Sequence, residues 1–345
     1  MNSTTAGKYA FETGVYRPPS EGGSNSLLVR LTRNCPWNRC TFCGMYKSET
    51  FQVRSVAEIK QDIDAMAAVR DDLAALARRP GQGGEIDHHA AIALIGKNPE
   101  LNHHPGFGML YHWLLSGGKT VFLQDANSLI MQTGPLVEVL AYLRRTFPSI
   151  VRVTTYARSK TLVQKSLEDL KAICRAGLDR LHVGLESGDD AVLEKIQKGA
   201  TAEIHIKGGQ KALAAGFQLS EYWMPGLGGK SLWQEHATHT ARVLSEIDPH
   251  YIRSRPFRPM PGTPLAREMA GQAFEMLTAG EQLRELRLTM RELSVTGRVC
   301  FDHAGNYWKN SQGRLLFSHS YEGYKFPEEQ QTVLDLIEEG LQAEV

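Results

Sequence analysis

Cys35-Pro-Trp-Asn-Arg-Cys40-Thr-Phe-Cys43-Gly44 places three thiols within nine residues, spaced C-x4-C-x2-C, directly after the apolar run Leu27 to Leu31. Pro36 and Asn38 allow so short a loop to fold back and aim its sulfurs at one place. Three thiolates suit an iron–sulfur cluster or most of a zinc site. A structural zinc site wants a fourth ligand nearby, and residues 44–60 contain no Cys, His or Asp. Three protein ligands leave one metal position open, as catalytic sites do. The remaining cysteines, Cys174 and Cys300, do not make a disulfide framework. The expectation is a compartment that keeps thiols reduced, hence the cytoplasm.

The rest of the chain narrows the class. Its 345 residues are 42% hydrophobic and 22% charged, the balance of a soluble globular protein. With 39 basic against 38 acidic residues the net charge is +1, so no global field favours nucleic acid. No run of 18 apolar residues occurs, and residues 1–25 lack the apolar core of a signal peptide. No membrane partner is expected.

Residues 1–25 read as an extended arm, because Pro18 and Pro19 forbid helix. Six strands are expected at 26–32, 120–123, 150–155, 180–185, 217–223 and 251–257. Helices are expected between them. One starts at the capping box Ser55-x-x-Glu58 and ends at Pro80-Gly81; others run 133–148, 166–176 and 201–216, and Ser231-x-x-Gln234 caps the next. Alternation of this kind argues for parallel βαβ units, and pattern alone leaves an open sheet or a barrel. Residues 80–118 lengthen the first crossover and hold His88, His89, His103, His104 and His112. Past 261, helices at 281–293 and 327–341 flank an aromatic, Gly-rich segment. The division expected is an arm (1–25), a barrel domain (26–260) with a His-rich insertion (80–118), and a cap (261–345).

The Cys motif, with Phe42 before its last Cys at the end of a first strand, resembles the radical S-adenosylmethionine (SAM) superfamily. The commoner family spacing has one residue fewer between the first two cysteines. Some subgroups carry the longer spacing together with an upstream Tyr-Arg-Pro-Pro-Ser-Glu, which stands here at 16–21. The resemblance implies an α/β fold, a partial (β/α)6 barrel with N-terminal arm and C-terminal helical cap. It implies one [4Fe–4S] cluster on Cys35, Cys40 and Cys43, with SAM on the open iron and Phe42 near the adenine. It also implies reductive SAM cleavage to a 5′-deoxyadenosyl radical, fed by an external one-electron donor such as flavodoxin or ferredoxin.

Strand ends carry the remaining candidates. Gln124-Asp125-Ala126-Asn127 stands where related families place an acidic motif for the SAM amino group. Glu186 with Ser187 resembles the ribose-binding segment of oxygen-independent coproporphyrinogen oxidases, and Lys198 falls where relatives place a base for the SAM carboxylate. Gly226, in Met224-Pro-Gly-Leu-Gly-Gly, permits close approach of a ligand at a strand-to-helix turn, here the adenine. Arg253 and Arg255 share a strand face. Two guanidiniums inside a barrel require anions, so an anionic small substrate is expected beside the SAM carboxylate. His303 in the cap is placed to reach the same cavity. The alternatives are a nucleic-acid methylthiotransferase, which the charge balance disfavours, and a non-catalytic iron–sulfur or zinc protein, which has no use for the strand-end residues.

Overall fold

The computed structural model describes residues 7–15, 25–79 and 84–343. The Tyr16 to Glu21 segment and the Pro80-Gly81 stop signal lie outside these residues. In chain order come β1 (Ser26–Arg30), β2 (Thr32–Arg33), β3 (Gln52–Val53), α1 (Val56–Ala77), α2 (His88–Lys97), α3 (Phe107–Leu115), β4 (Thr120–Gln124) and α4 (Thr133–Thr146). There follow β5 (Arg152–Ala157), α5 (Ser159–Gln164), α6 (Leu167–Arg175), β6 (Arg180–Glu186), α7 (Asp190–Lys195), α8 (Ala202–Ala214) and β7 (Gln218–Trp223). The chain closes with α9 (Gly229–Ile247), β8 (Tyr251–Ser254), α10 (Pro264–Ala270), α11 (Ala279–Glu292), β9 (Arg298–Cys300), β10 (Tyr324–Lys325) and α12 (Gln330–Ala343). The class is α/β with mostly parallel strands, as expected. No helix among the described residues is long and apolar enough to cross a membrane.

Two compact units divide the chain. One comprises Met1–Asn34, Phe51–Tyr156 and Ala172–Asp179; the other comprises Cys35–Thr50, Ala157–Lys171 and Arg180–Val345. In the first unit β1 pairs in parallel with β4, and β4 with β5, starting at Ser26↔Thr120 and Thr120↔Arg152. Leu27, Val29, Val121, Leu123 and Val153 are fully buried, as strands covered on both faces require. Ser55 and Glu58 form the expected capping box of α1. Residues 80–118 differ from the expected long loop. Their apolar residues fold α2 and α3 against α1, burying Leu94, Leu110 and Trp113, and His88 and His89 remain exposed. Helical periodicity there was masked by the histidines and glycines.

The described arm is held down within this unit. Tyr9 donates to Asp72 on α1 (2.6 Å), Glu12 pairs with Arg30 (2.7 Å) and Arg33 (2.5 Å), and Gly14 N–H donates to Gln124 Oε1 (2.8 Å).

The second unit is built on β6, β7, β8 and β9, all parallel, with β10 antiparallel to β9. The region beyond 261 is helical as expected, with α11 and α12 near their expected places, and it supplies strands β9 and β10 as well. The sixth strand also stops early, at Ser254, because Pro256 lacks an N–H. The helix expected to be capped by Ser231 starts instead at Gly229 and is broken at Leu232 (φ −132°). Helix α9 passes so close to the end of β6 that only glycine fits at 188. A Cβ there would lie 2.3 Å from the His239 carbonyl oxygen and 2.6 Å from the Thr240 Cα, while the Gly188 N–H donates to Thr240 Oγ1 (2.9 Å).

Gly188→Ala should therefore destabilise the protein by about 1–3 kcal/mol, the usual cost of overpacking. A lowered urea midpoint at unchanged m-value is the expected result. An unshifted midpoint would mean that α9 is free to yield.

Candidate active site

The cysteine loop belongs to the second unit and is pinned by backbone bonds at its middle. Thr41 N–H donates to Ile196 O (2.9 Å) and Thr41 O accepts from Leu265 N–H (3.0 Å). Trp37 Nε1–H donates to Gln197 O (2.7 Å), and its ring lies on Gly199, where a Cβ would fall 2.4 Å from the indole. Arg158 stacks on that indole at 4.9 Å and donates to Lys198 O (2.6 Å). Pinned in this way, Cys35, Cys40 and Cys43 are free thiols, each partly exposed. The Asn38 amide points at Cys35 Sγ (3.4 Å), and the Met45 amide hydrogen-bonds Cys43. Amides of this kind stabilise sulfurs that carry charge.

Burial pushes the Cys40 thiol up, against the pull of the Lys198 and Arg158 charges; burial also raises Cys43, against the Met45 amide. Phe42 packs beside Leu193, Ile196, Leu227 and Phe257, next to the turn that follows β7. Among the described residues there is no group of three His, Cys, Asp or Glu side chains that could hold a single metal ion. That holds for the histidines of 80–118 as well. A multi-iron cluster is wide enough to fill the space between thiols that do not converge on one point. The loop's three sulfurs, two amides and two neighbouring cations fit such an anionic cluster.

Beside the loop, Lys198 Nζ binds Glu186 Oε1 at 2.9 Å, both side chains nearly buried. Glu186 is held at φ +67° where β6 bulges, and the ion pair lies over Gly184. The sequence assigned these two groups to different parts of SAM, the ribose and the carboxylate; the structure joins them to each other. It also adds a residue that sequence reading missed. Glu221, in the middle of β7, is wholly buried, and neither of its carboxyl oxygens has a hydrogen-bond partner. Burial pushes its carboxyl well above the usual range, Lys198 pulls it down and Glu186 pushes it up. An acidic residue inside the apolar strand Gln218–Trp223 was the available signal. His205 is similar: Nδ1 bonds Ser159 Oγ (2.7 Å), Nε2 is buried without a partner, and burial holds the ring neutral. Ser187 turns to His236 (2.8 Å), and the Gly226 N–H (φ +86°) donates to Glu285 (2.8 Å).

The two arginines meet an anion the sequence argument had not supplied. Arg253 is fully buried between the rings of Tyr251 and Tyr321 (4.9 and 4.3 Å), and donates to Ser220 Oγ and Tyr321 O (both 3.2 Å). Its Nη1 lies 3.2 Å from Asp302 Oδ2, and Arg255 Nη1 lies 3.8 Å from Asp302 Oδ1. Arg255 also stacks on Tyr222 at 4.5 Å. Asp302 thus stands within ion-pair distance of both guanidiniums. Burial and the Arg255 charge pull His303 down to about 4, so it stays neutral.

Asp125 and Asn127 lie in the first unit, both buried. Asp125 Oδ2 takes two bonds from Arg30 (2.9 and 2.7 Å) and one from the Asn34 amide (3.0 Å). One carboxyl oxygen is therefore committed to holding the end of β4 to that of β1. The other is buried and has no hydrogen-bond partner among the described residues.

Residues 114–240 match the family model described as Radical SAM superfamily. The match runs from the end of α3 into α9 and leaves the cysteine loop outside. No curated protein sequence matches significantly. Among solved structures, a radical S-adenosylmethionine methyltransferase, TsrM, from Kitasatospora setae is similar at 13% identity and TM-score 0.51, covering 92% of this chain and 61% of its own. HydG, a maturase of the [FeFe]-hydrogenase, is 13% identical at TM-score 0.47 (90% and 54% covered). Coproporphyrinogen III oxidase (HemN) from Escherichia coli is 15% identical at TM-score 0.41 (59% and 45%). The first likeness shows the fold. This chain spans less than two thirds of the length of each of these proteins.

The charge arrangement makes Asp302 structural. Asp302→Asn should cost about 3–5 kcal/mol, because it leaves a buried guanidinium without its counter-charge. Urea unfolding measures the loss, and wild-type stability in the variant would show that Arg253 is satisfied by its other partners alone.

Proposed function

We propose, from the premise that this chain belongs to the radical SAM superfamily, that it is an enzyme holding one [4Fe–4S] cluster on Cys35, Cys40 and Cys43 and binding SAM beside it. The observation that carries the reading is the gathering of those thiols with Lys198, Arg158, Glu186 and the orphaned Glu221 in one unit. Held by those three thiolates, the cluster would supply one-electron reduction, fed by an external donor, for reductive cleavage of SAM.

The chain's own groups do the rest. Lys198 and Arg158 offset the negative charge of the cluster thiolates and of the SAM carboxylate. Among the described residues Glu221 has no hydrogen-bond donor, and SAM brings hydroxyl and ammonium donors, so Glu221 takes part in binding it together with Glu186. Phe42 and the Gly226 turn hold the adenine.

A small anionic substrate is the class we propose, with Arg253 and Arg255, which both stand within ion-pair distance of Asp302, as the cationic groups nearest to it. Thiols that must remain reduced place the enzyme in the cytoplasm.

Anaerobic reconstitution should give about four irons per chain, with 5′-deoxyadenosine formed on reduction in the presence of SAM. Cys40→Ala should lose both. Glu221→Gln should keep the iron and weaken SAM binding by roughly tenfold, the cost of a misplaced hydrogen bond to a charged partner. A wild-type protein that binds zinc in place of iron, or forms no 5′-deoxyadenosine with a full cluster, would overturn the reading.

A further inference from the structure

Two buried side chains that the proposed reaction does not use, His236 on α9 and Glu285 on α11, meet at the ends of β6 and β7. His236 Nε2–H donates to Met224 O (3.1 Å), and its Nδ1 accepts from Ser187 Oγ–H (2.8 Å). Ser187 Oγ in turn accepts from the Asp189 amide (3.0 Å). Glu285 Oε1 accepts the Gly226 N–H at 2.8 Å, lies 3.7 Å from His236 Nε2, and leaves Oε2 with no partner. Both side chains are 1% exposed. The Met224 amide completes the link by donating to Glu186 O (3.0 Å).

We infer that His236 and Glu285 are positioning residues: they clamp the Glu186–Ser187 end of β6 and the Met224–Gly226 turn after β7 into one ligand-binding geometry. The ligand named rests on the SAM reading above, but the clamp itself does not. Gly226 is buried in a turn at φ +86°, where its N–H needs a hydrogen-bond partner, and Glu285 is that partner.

The charge state follows from the surroundings. Burial raises the Glu285 carboxyl to about 8 and lowers His236 to about 4, so both are neutral at pH 7. Among the described residues, the one group in ion-pair range of Glu285 is His236, which burial keeps neutral. On α12, Glu338 takes up Arg287 (3.0 Å) and Arg291 (3.7 Å); at the start of α9, Lys230 is held by Glu275 (2.5 Å) and lies 3.9 Å from Glu281. His239 is turned to Asp189 (2.7 Å), and Gln282, beside Gly226, is uncharged. A carboxyl whose folded pKa is raised contributes stability that is full below its unfolded value and is lost as pH rises toward the folded one. The clamp should therefore loosen as pH climbs through about 8.

Glu285→Gln mimics the neutral acid and keeps the oxygen that accepts from Gly226. Amide exchange over residues 222–229, corrected for the intrinsic pH effect, tests the clamp without cofactor. Wild type should lose protection above pH 8 and Glu285→Gln should keep it. In reconstituted protein, equilibrium dialysis should show the SAM Kd of wild type weakening by about tenfold between neutral pH and pH 9, while Glu285→Gln stays flat. His236→Ala should weaken SAM by a similar factor at neutral pH with iron content unchanged. Wild type and Glu285→Gln following one another through pH 9 in both measurements overturns the inference. Loss of SAM binding in wild type at every pH, with the exchange difference intact, overturns the SAM reading and leaves the clamp standing.

Discussion

One ammonium orders the chemistry of the second unit. Lys198 Nζ sits 2.9 Å from Glu186, and its charge bears on Cys40, Glu221 and His205. A charge so nearly buried persists only because Glu186 pairs with it, and Glu186 is aimed by a bulge and a positive φ at the end of β6. The backbone around Lys198 is then borrowed twice by the cysteine loop: Gln197 O receives Trp37, and Lys198 O receives Arg158. The same short turn thus places a cation for the thiols and anchors the loop that carries them. Moving it would disturb both.

Elements with local signals were readable in advance. The capping box at Ser55, the N-cap at Thr201 and the six strands obey short-range rules, and the structure keeps them with ends shifted by at most three residues. Strand β9 is three residues long and has no period to detect; it exists because β8 offers an open edge. The helices of 88–115 were hidden for another reason, since Gly, Pro and His diluted an apolar stripe that α1 completes. Elements whose stability is supplied by a distant partner leave little trace in their own residues.

The site divides in the same way. Thiol spacing marks the loop as a candidate cluster site without knowledge of the fold. The role of Asp302 does not show in sequence, because it lies 49 residues from Arg253 and acts through space. Arg253 and Arg255 looked like a demand for two ligand anions, and one of those anions is built in. Asp125 is similar, with one oxygen occupied by Arg30 and the Asn34 amide. Glu221 is the reverse case: a buried acid for which the described protein provides no donor. In each instance the residue type was informative, and the partner decided what it meant.

The central claim is that Cys35, Cys40 and Cys43 hold a cluster with one iron left open for SAM. Electron paramagnetic resonance of the anaerobically reduced protein, with and without SAM labelled with nitrogen-15 at its amino group, tests it most directly. The account predicts a signal whose g-values shift on adding SAM and which shows coupling to the labelled nitrogen, as direct ligation of the open iron requires. A reduced-cluster signal indifferent to SAM, with no coupling to the label, would contradict it.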